Sequence, residues 1–184
     1  MIAAVLAGGK STRFGRNKLA EPINGTPLLE RVFGQIRPYA TQVWMIGQQD
    51  GLEPGPDRIL YDTPGYPGPL GGVVSVLKEF PSEPVLFLAG DLPCLSDEGL
   101  KWFLHSADPL RLTIPVTQEG NRQVLHSLCP VTQAKKLHLM LERGDIRSLD
   151  YFFGLIDPLL LPVPQSHSRH FLNLNTPEDL IRDI

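Results

Sequence analysis

The amino-acid sequence predicts an α/β fold, a parallel sheet covered by helices, from three observations. Short continuous apolar runs alternate with segments of helical period, as strands buried on both faces alternate with amphipathic helices. Glycine and proline, 17 and 18 of the 184 residues, stand mostly at the junctions between these segments. A chain of 184 residues is also long enough to bury a core of its own without disulfide staples.

The elements follow in order. Residues 2–7 form an apolar run ended by Gly8-Gly9, a buried first strand. Pro27 opens a helix to about Arg37, with Leu28, Leu29, Val32, Phe33 and Ile36 on one face and Pro38 as its stop. Residues 43–46 and 58–61 read as short strands. Over 71–80, Val73, Val74, Val76, Leu77 and Phe80 repeat with helical period, and 85–89 is a fourth strand ended by Gly90-Asp91. Ser96 starts a helix to about Ser106, because its hydroxyl can accept from first-turn amides while Asp97 and Glu98 complement the helix dipole. Strands over 110–116 and 123–128, a helix over 131–142, a short helix around 147–152 and a strand near 159–163 come next. Thr176 and Pro177 start a closing helix. With no repeat and no long linker, residues 1–184 are expected to form one domain.

Composition removes several functions. Seventeen Lys and Arg against 20 Asp and Glu, a net charge of −3, give no footprint for a nucleic-acid backbone. No apolar run approaches the roughly 18 residues of a membrane span. Met1 to Leu6 lack the basic and long apolar regions of a signal peptide. Cys94 and Cys129 are too few for a disulfide scaffold. The expected location is the reducing cytoplasm, with neither nucleic acid nor membrane as partner.

Three segments carry chemistry. Residues 6–18, Leu-Ala-Gly-Gly-Lys-Ser-Thr-Arg-Phe-Gly-Arg-Asn-Lys, follow the first strand directly. Gly8 and Gly9 let backbone N–H groups point at phosphate oxygens, and Arg13 and Lys18 add positive charge beside them. The spacing is neither that of a Walker A loop nor that of a dinucleotide fingerprint. A tight turn with solvated basic residues is the alternative. Residues 66–72, Tyr-Pro-Gly-Pro-Leu-Gly-Gly, form a stiff glycine-rich loop at a helix start, suited to an anion or to close packing. Asp91 ends a buried apolar strand as a lone carboxylate, fit for Mg²⁺ beside substrate phosphates or for opening an Asx turn. In combination they point to phosphoryl or nucleotidyl transfer.

Residues 6–18 resemble the LAGGxSxRxGxxK signature of the MobA-like nucleotidyltransferases. Pro67 to Gly72, Asp91-Leu92-Pro93 and Asn173 to Leu180 match that family's later motifs in order. The resemblance spans nearly the whole chain and is strongest to the guanylyl-transferring members, which join GMP from GTP to molybdopterin and release pyrophosphate. It implies a three-layer Rossmann-like nucleotidyltransferase fold, mostly parallel, with helices on both faces. It also implies Mg²⁺ on Asp91, catalytic roles for Arg13, Lys18 and Asp91, and nucleotide contacts from Leu6, Ala7, Gly8, Gly9, Lys18, Asp62, Gly71 and Asp91. Asn173 and Asn175 fall near the reacting centre on the acceptor side, and Arg122 lies in the segment where the family handles the pterin substrate. Molybdopterin-delivery proteins and apo-molybdoenzymes are the implied partners. One departure stands out: where the best-matching pattern has an asparagine after the second strand, this chain has Ile46-Gly47-Gln48, so Gln48 or backbone must serve the base.

Other readings stay open at this level: a cytidylyltransferase on molybdopterin, a relative acting on a sugar phosphate, or a non-catalytic nucleotide-binding module that delivers cofactor. The remaining polar residues are expected to be bland. His167 and His170 belong to a polar loop, His126 to a strand as a packed or pocket-lining imidazole, and Cys94 to the pocket region without an activated thiolate.

Overall fold

In a computed structural model of the chain, which describes residues 1–8, 17–47, 52, 55–141 and 146–172, β1 (Ile2–Leu6) is buried along its whole length. Its unbroken apolar run follows from that position: Ile2, Ala4 and Leu6 face one core, Ala3 and Val5 the other. A small antiparallel hairpin of β2 (Pro22–Ile23) and β3 (Thr26–Pro27) comes next. Its turn residues Asn24 and Gly25 have φ of 51° and 83°, the Asn-Gly pairing that two-residue hairpins favour. The sequence reading passed over that signal.

The helix α1 (Leu28–Ile36) starts one residue after Pro27, which is its N-cap, and buries the five apolar residues expected of it. The strands β4 (Gln42–Ile46) and β5 (Arg58–Leu60) follow. Then come α2 (Leu70–Lys78), β6 (Val85–Ala89) and α3 (Asp97–Ser106). Phe80 lies beyond α2 with φ of 50° and 65% exposure, so it belongs to the helix stop rather than to the buried face. Ser96 caps α3 as expected, its Oγ accepting from the Gly99 N–H at 3.2 Å.

Two strands are shorter than expected, for local reasons. β7 (Thr113–Val116) cannot begin at residue 110, because Asp108 Oδ1 accepts from the N–H groups of Leu110 and Arg111 and curls the chain into a turn. β8 (His126–Cys129) begins after another turn, closed by the His126 N–H on the Gln123 carbonyl. The remaining elements are α4 (Val131–Leu141), α5 (Leu149–Gly154) capped by Ser148, and β9 (Leu159–Pro162). Residues Gln165–Phe171 coil into 3-10 turns that bury His170 and Phe171, which corrects the polar loop expected there. The closing helix expected from Thr176 lies outside the described residues.

The seven long strands form one sheet in the order β5-β4-β1-β6-β8-β7-β9. All run parallel except β8, which is antiparallel to both β6 and β7. The helices α1 and α3 cover one face, and α2, α4 and α5 cover the other. This is the three-layer, mostly parallel arrangement the sequence implied. Among the described residues, no helix is long and apolar enough to cross a membrane.

Between α3, β8 and the 165–171 turns lie two imidazoles, His126 and His170, that are 1% and 3% exposed. Burial, then the neighbouring His167, pushes the pKa of His170 from 6.5 to about 4. Burial, then His170, holds His126 well below its ordinary value. The unfolded chain therefore binds these protons more readily than the folded one. Their neutral forms support the fold fully above pH 6.5, and that support declines as pH falls from there toward 4. For His170 alone, stability is expected to fall by about 2 kcal/mol between pH 7 and pH 5. Urea midpoints at the two pH values measure it, and equal midpoints would contradict it.

Candidate functional site

Ladder hydrogen bonds continue past the ends of the parallel strands. The Gly47 N–H donates to the Leu60 carbonyl at 2.9 Å, Ala7 to Ile46 at 2.8 Å and Gly90 to Leu6 at 3.0 Å. Leu6 is in register with Ile46 and Ala89, and Ile46 with Leu60. Gly8, Asp62 and Asp91 thus each stand two residues beyond one common line. From β1 the chain winds out to β4 and β5 before returning to β6 on the other side of β1. Such a reversal opens a crevice beyond the carboxyl ends of the strands, where open α/β sheets take ligands. A cavity of about 660 Å³ lies there.

Lys18 reaches this cavity from a 3-10 turn, Lys18–Ala20. Asn17 Oδ1 caps the turn by accepting from the Leu19 N–H at 3.1 Å, and Leu19 is buried in the core beneath α1. Burying that leucine contributes about 1.5–3 kcal/mol and fixes where the preceding lysine can point. Lys18 Nζ makes an ion pair and hydrogen bond with Asp91 Oδ2, the two side chains being 22% and 19% exposed. Partial burial makes the pair stronger than one at the open surface.

Asp62 lines the same cavity from the end of β5, with Tyr66 beside it. Three strand spacings separate the backbones of Asp62 and Asp91, about 14 Å, and the Asp62 carboxylate reaches back toward Gly8 at the end of β1. Asp62 fits its place because two neighbours, Gly71 and Gly72, lack a side chain, while Gly8 leaves ordinary contact room. A Cβ on Gly72 would lie 2.9 Å from Ile46 Cγ2 and 3.0 Å from Asp62 Oδ1; one on Gly71 would lie 3.3 Å from Asp62 Cβ, and one on Gly8 3.4 Å from Asp62 Oδ2. Gly71 therefore has a packing reason of its own: Gly68 and Pro69 line the cavity, while Gly71 and Gly72 seat α2 against the strand ends. Ile46, 1% exposed, presents only hydrocarbon to the cavity.

A family model described as the MobA-like NTP transferase domain matches residues 3–152. The chain belongs to this family. It is a nucleotidyltransferase. It is 30% identical to the molybdenum cofactor guanylyltransferase of Rhizobium meliloti, covering 97% of this chain and 88% of that one. To the molybdenum cofactor guanylyltransferase of Vibrio cholerae it is 29% identical, over 96% and 87%. Among solved structures, the molybdopterin-guanine dinucleotide biosynthesis protein A of Archaeoglobus fulgidus superposes with a TM-score of 0.70 at 22% identity, over 100% and 96% of the two chains, and so shares the fold.

Within this MobA-like chain, the structure brings Leu6, Gly8, Lys18, Asp62 and Asp91 to one cavity. Gly9, Arg13, Gln48, Asn173 and Asn175 lie outside the described residues. Arg122 stands apart from the cavity: it is exposed and paired with Asp150 in the first turn of α5, at 3.3 Å. The sequence reading missed Leu19, the anchor beneath Lys18, and Leu125, which lines the cavity from the turn before β8. Leu19 carried a usable signal, an apolar residue directly after a basic loop; Leu125 carried none.

Gly72→Ala is expected to destabilise the fold by about 1–3 kcal/mol, since Ile46, Asp62 and Leu6 must all give way, and to weaken nucleotide binding through the displaced Asp62. Gly34→Ala is the control. It sits on the exposed side of α1 with nothing among the described residues within 4 Å of the added carbon and is expected to stabilise by about 0.5–1 kcal/mol. Urea denaturation and nucleotide titration of the two variants measure both effects.

Proposed function

We propose that this nucleotidyltransferase transfers GMP from GTP to molybdopterin, with Mg²⁺ as cofactor and pyrophosphate as the second product. The observation that carries the reading is the Lys18–Asp91 pair, set in the cavity at the reversal point of the sheet. Relatives 29–30% identical that are named molybdenum cofactor guanylyltransferases support the reading of a guanylyl donor and a molybdopterin acceptor.

In the reaction, the terminal phosphate oxygen of molybdopterin attacks the α-phosphorus of GTP. A new P–O bond forms as the bond from that phosphorus to the pyrophosphate oxygen breaks. The attacking oxygen is already anionic, so the reaction needs no dedicated general base. Among the described residues no three His, Cys, Asp or Glu side chains cluster as metal ligands. A lone carboxylate at a strand end, completed by phosphates and water, is nonetheless a donor set that suits Mg²⁺, and Asp91 would hold the ion. When bound there, Mg²⁺ neutralises the phosphate oxygens around the reacting phosphorus. Lys18 exchanges the Asp91 carboxylate for pyrophosphate oxygens, where negative charge grows. Arg13 takes the same task on the strength of its place in the motif. Asp62 accepts hydrogen bonds from the nucleoside end, and Asn173 and Asn175 serve the acceptor side.

Thermal shift with Mg²⁺ and each of GTP, CTP, ATP and UTP tests the donor, and GTP is expected to stabilise most. Pyrophosphate release on mixing GTP and molybdopterin tests the reaction. Asp91→Asn is expected to lower that release at least about 100-fold while the protein still folds, with a somewhat lower melting temperature from the lost pair with Lys18. Selective stabilisation by CTP would replace the guanylyl reading with a cytidylyl one, and binding without pyrophosphate release would favour a delivery module.

A further inference from the structure

The two buried imidazoles are bonded to each other and to the segment that carries Asp91. His170 Nδ1 accepts from the Ser96 N–H at 3.1 Å, and His170 Nε2 lies 3.3 Å from His126 Nε2. The pattern fixes the protons. A nitrogen that accepts from a backbone N–H is bare, so the proton of neutral His170 is on Nε2 and is donated to His126 Nε2. The proton of His126 is then on Nδ1, a buried atom with no partner among the described residues. A second proton on either ring would set two donors face to face.

These contacts close a loop around Asp91. At one end, Leu88 is in register with His126, and the Ala89 N–H bonds the carbonyl of the adjacent Leu125 at 2.9 Å. At the other end is Ser96, the N-cap of α3, held by His170. The intervening residues 90–95 carry the carboxylate and bury Leu92 and Leu95. Gly99 completes the fit, because a Cβ there would stand 2.1 Å from His170 Nδ1.

We infer that His170 and His126 are positioning residues for Asp91: their bridge ties together the two ends of the segment that presents the carboxylate to the cavity. The inference rests on the nucleotidyl-transfer reading for the use made of Asp91. Neither imidazole touches substrate; both act through the geometry of residues 90–96. Depressed imidazole basicity is consistent with it, since the bridge requires both rings neutral.

The test is Mn²⁺ affinity in the presence of GTP, read by electron paramagnetic resonance, for the full chain and for His170→Leu and His170→Gln, with melting temperatures alongside. Loss of the bridge is expected to weaken Mn²⁺ binding about tenfold, the scale for residues that orient a metal ligand. Glutamine, which keeps an acceptor and a donor, is expected to stay within about threefold of the parent. A folded His170→Leu variant that binds Mn²⁺ like the parent overturns the inference. If that variant does not fold, the histidine tautomers of the parent decide by nitrogen NMR: His170 protonated at Nε2 supports the bridge, and His170 protonated at Nδ1 overturns it. A parent that binds no Mn²⁺ with any nucleoside triphosphate defeats the nucleotidyl reading instead, and the tautomers still judge the bridge separately.

Discussion

Ladder hydrogen bonds that outlast the strands set the geometry of the cavity. A buried backbone N–H or carbonyl left unpaired is costly, so β1 cannot slide without breaking bonds to β4 on one side and β6 on the other. The bonds from Gly47 to Leu60, Ala7 to Ile46 and Gly90 to Leu6 carry this constraint into the loops. Residues far apart in the chain are thereby held at multiples of the strand spacing. Gly47 shows what that demands locally. Its φ is 125°, and a Cβ would stand 3.0 Å from Ala7 C and Gly8 N. Only glycine lets β4 leave the sheet without displacing the loop after β1.

Within that frame the charges are divided rather than pooled. Asp62 and Asp91 enter the crevice from the ends of β5 and β6, with β4 and β1 between them. Asp91 is the more enclosed, and a partly buried carboxylate without a counter-charge would be unfavourable. Lys18 supplies the counter-charge from a turn whose position is fixed by the buried Leu19. A hydrophobic anchor one residue away thus decides where the cation sits, so core packing and site electrostatics are one arrangement. The glycines at 71 and 72 do the corresponding work for Asp62 by letting α2 come close.

Legibility in the sequence followed the range of the forces involved. The strands β1 and β6 were plain because burial on both faces leaves continuous apolar runs, and α1 because its five buried residues repeat with helical period. Strand starts at 113 and 126 were not, because Asp108 and the 123–126 turn act through local hydrogen bonds that composition does not register. Lys18 and Asp91 were singled out by residue type and setting. Their pairing across 73 positions depends on sheet register, which no local pattern encodes. His170 was misjudged for the converse reason. Its neighbours Ser166, His167, Ser168 and Arg169 are polar, and only the tertiary fold reveals that its ring fills the space over Gly99.

The reversed strand explains why those histidines lie where they do. In a purely parallel sheet only the carboxyl ends of strands meet the ligand edge. Because β8 is antiparallel to β6, its amino end arrives at that edge instead, with His126 beside Leu88. Leu125, one residue earlier, lines the cavity, while His126 turns into the core to meet His170. Residues on either side of one peptide bond thus face the ligand and the support behind it. Direct wiring of this kind puts a buried polar pair under two demands at once. It must stay neutral and bonded for the core to hold, and it must stay in place for the Asp91 segment to keep its shape. A purely apolar filling of the same space could meet the first demand but could not accept the Ser96 N–H, and so could not meet the second.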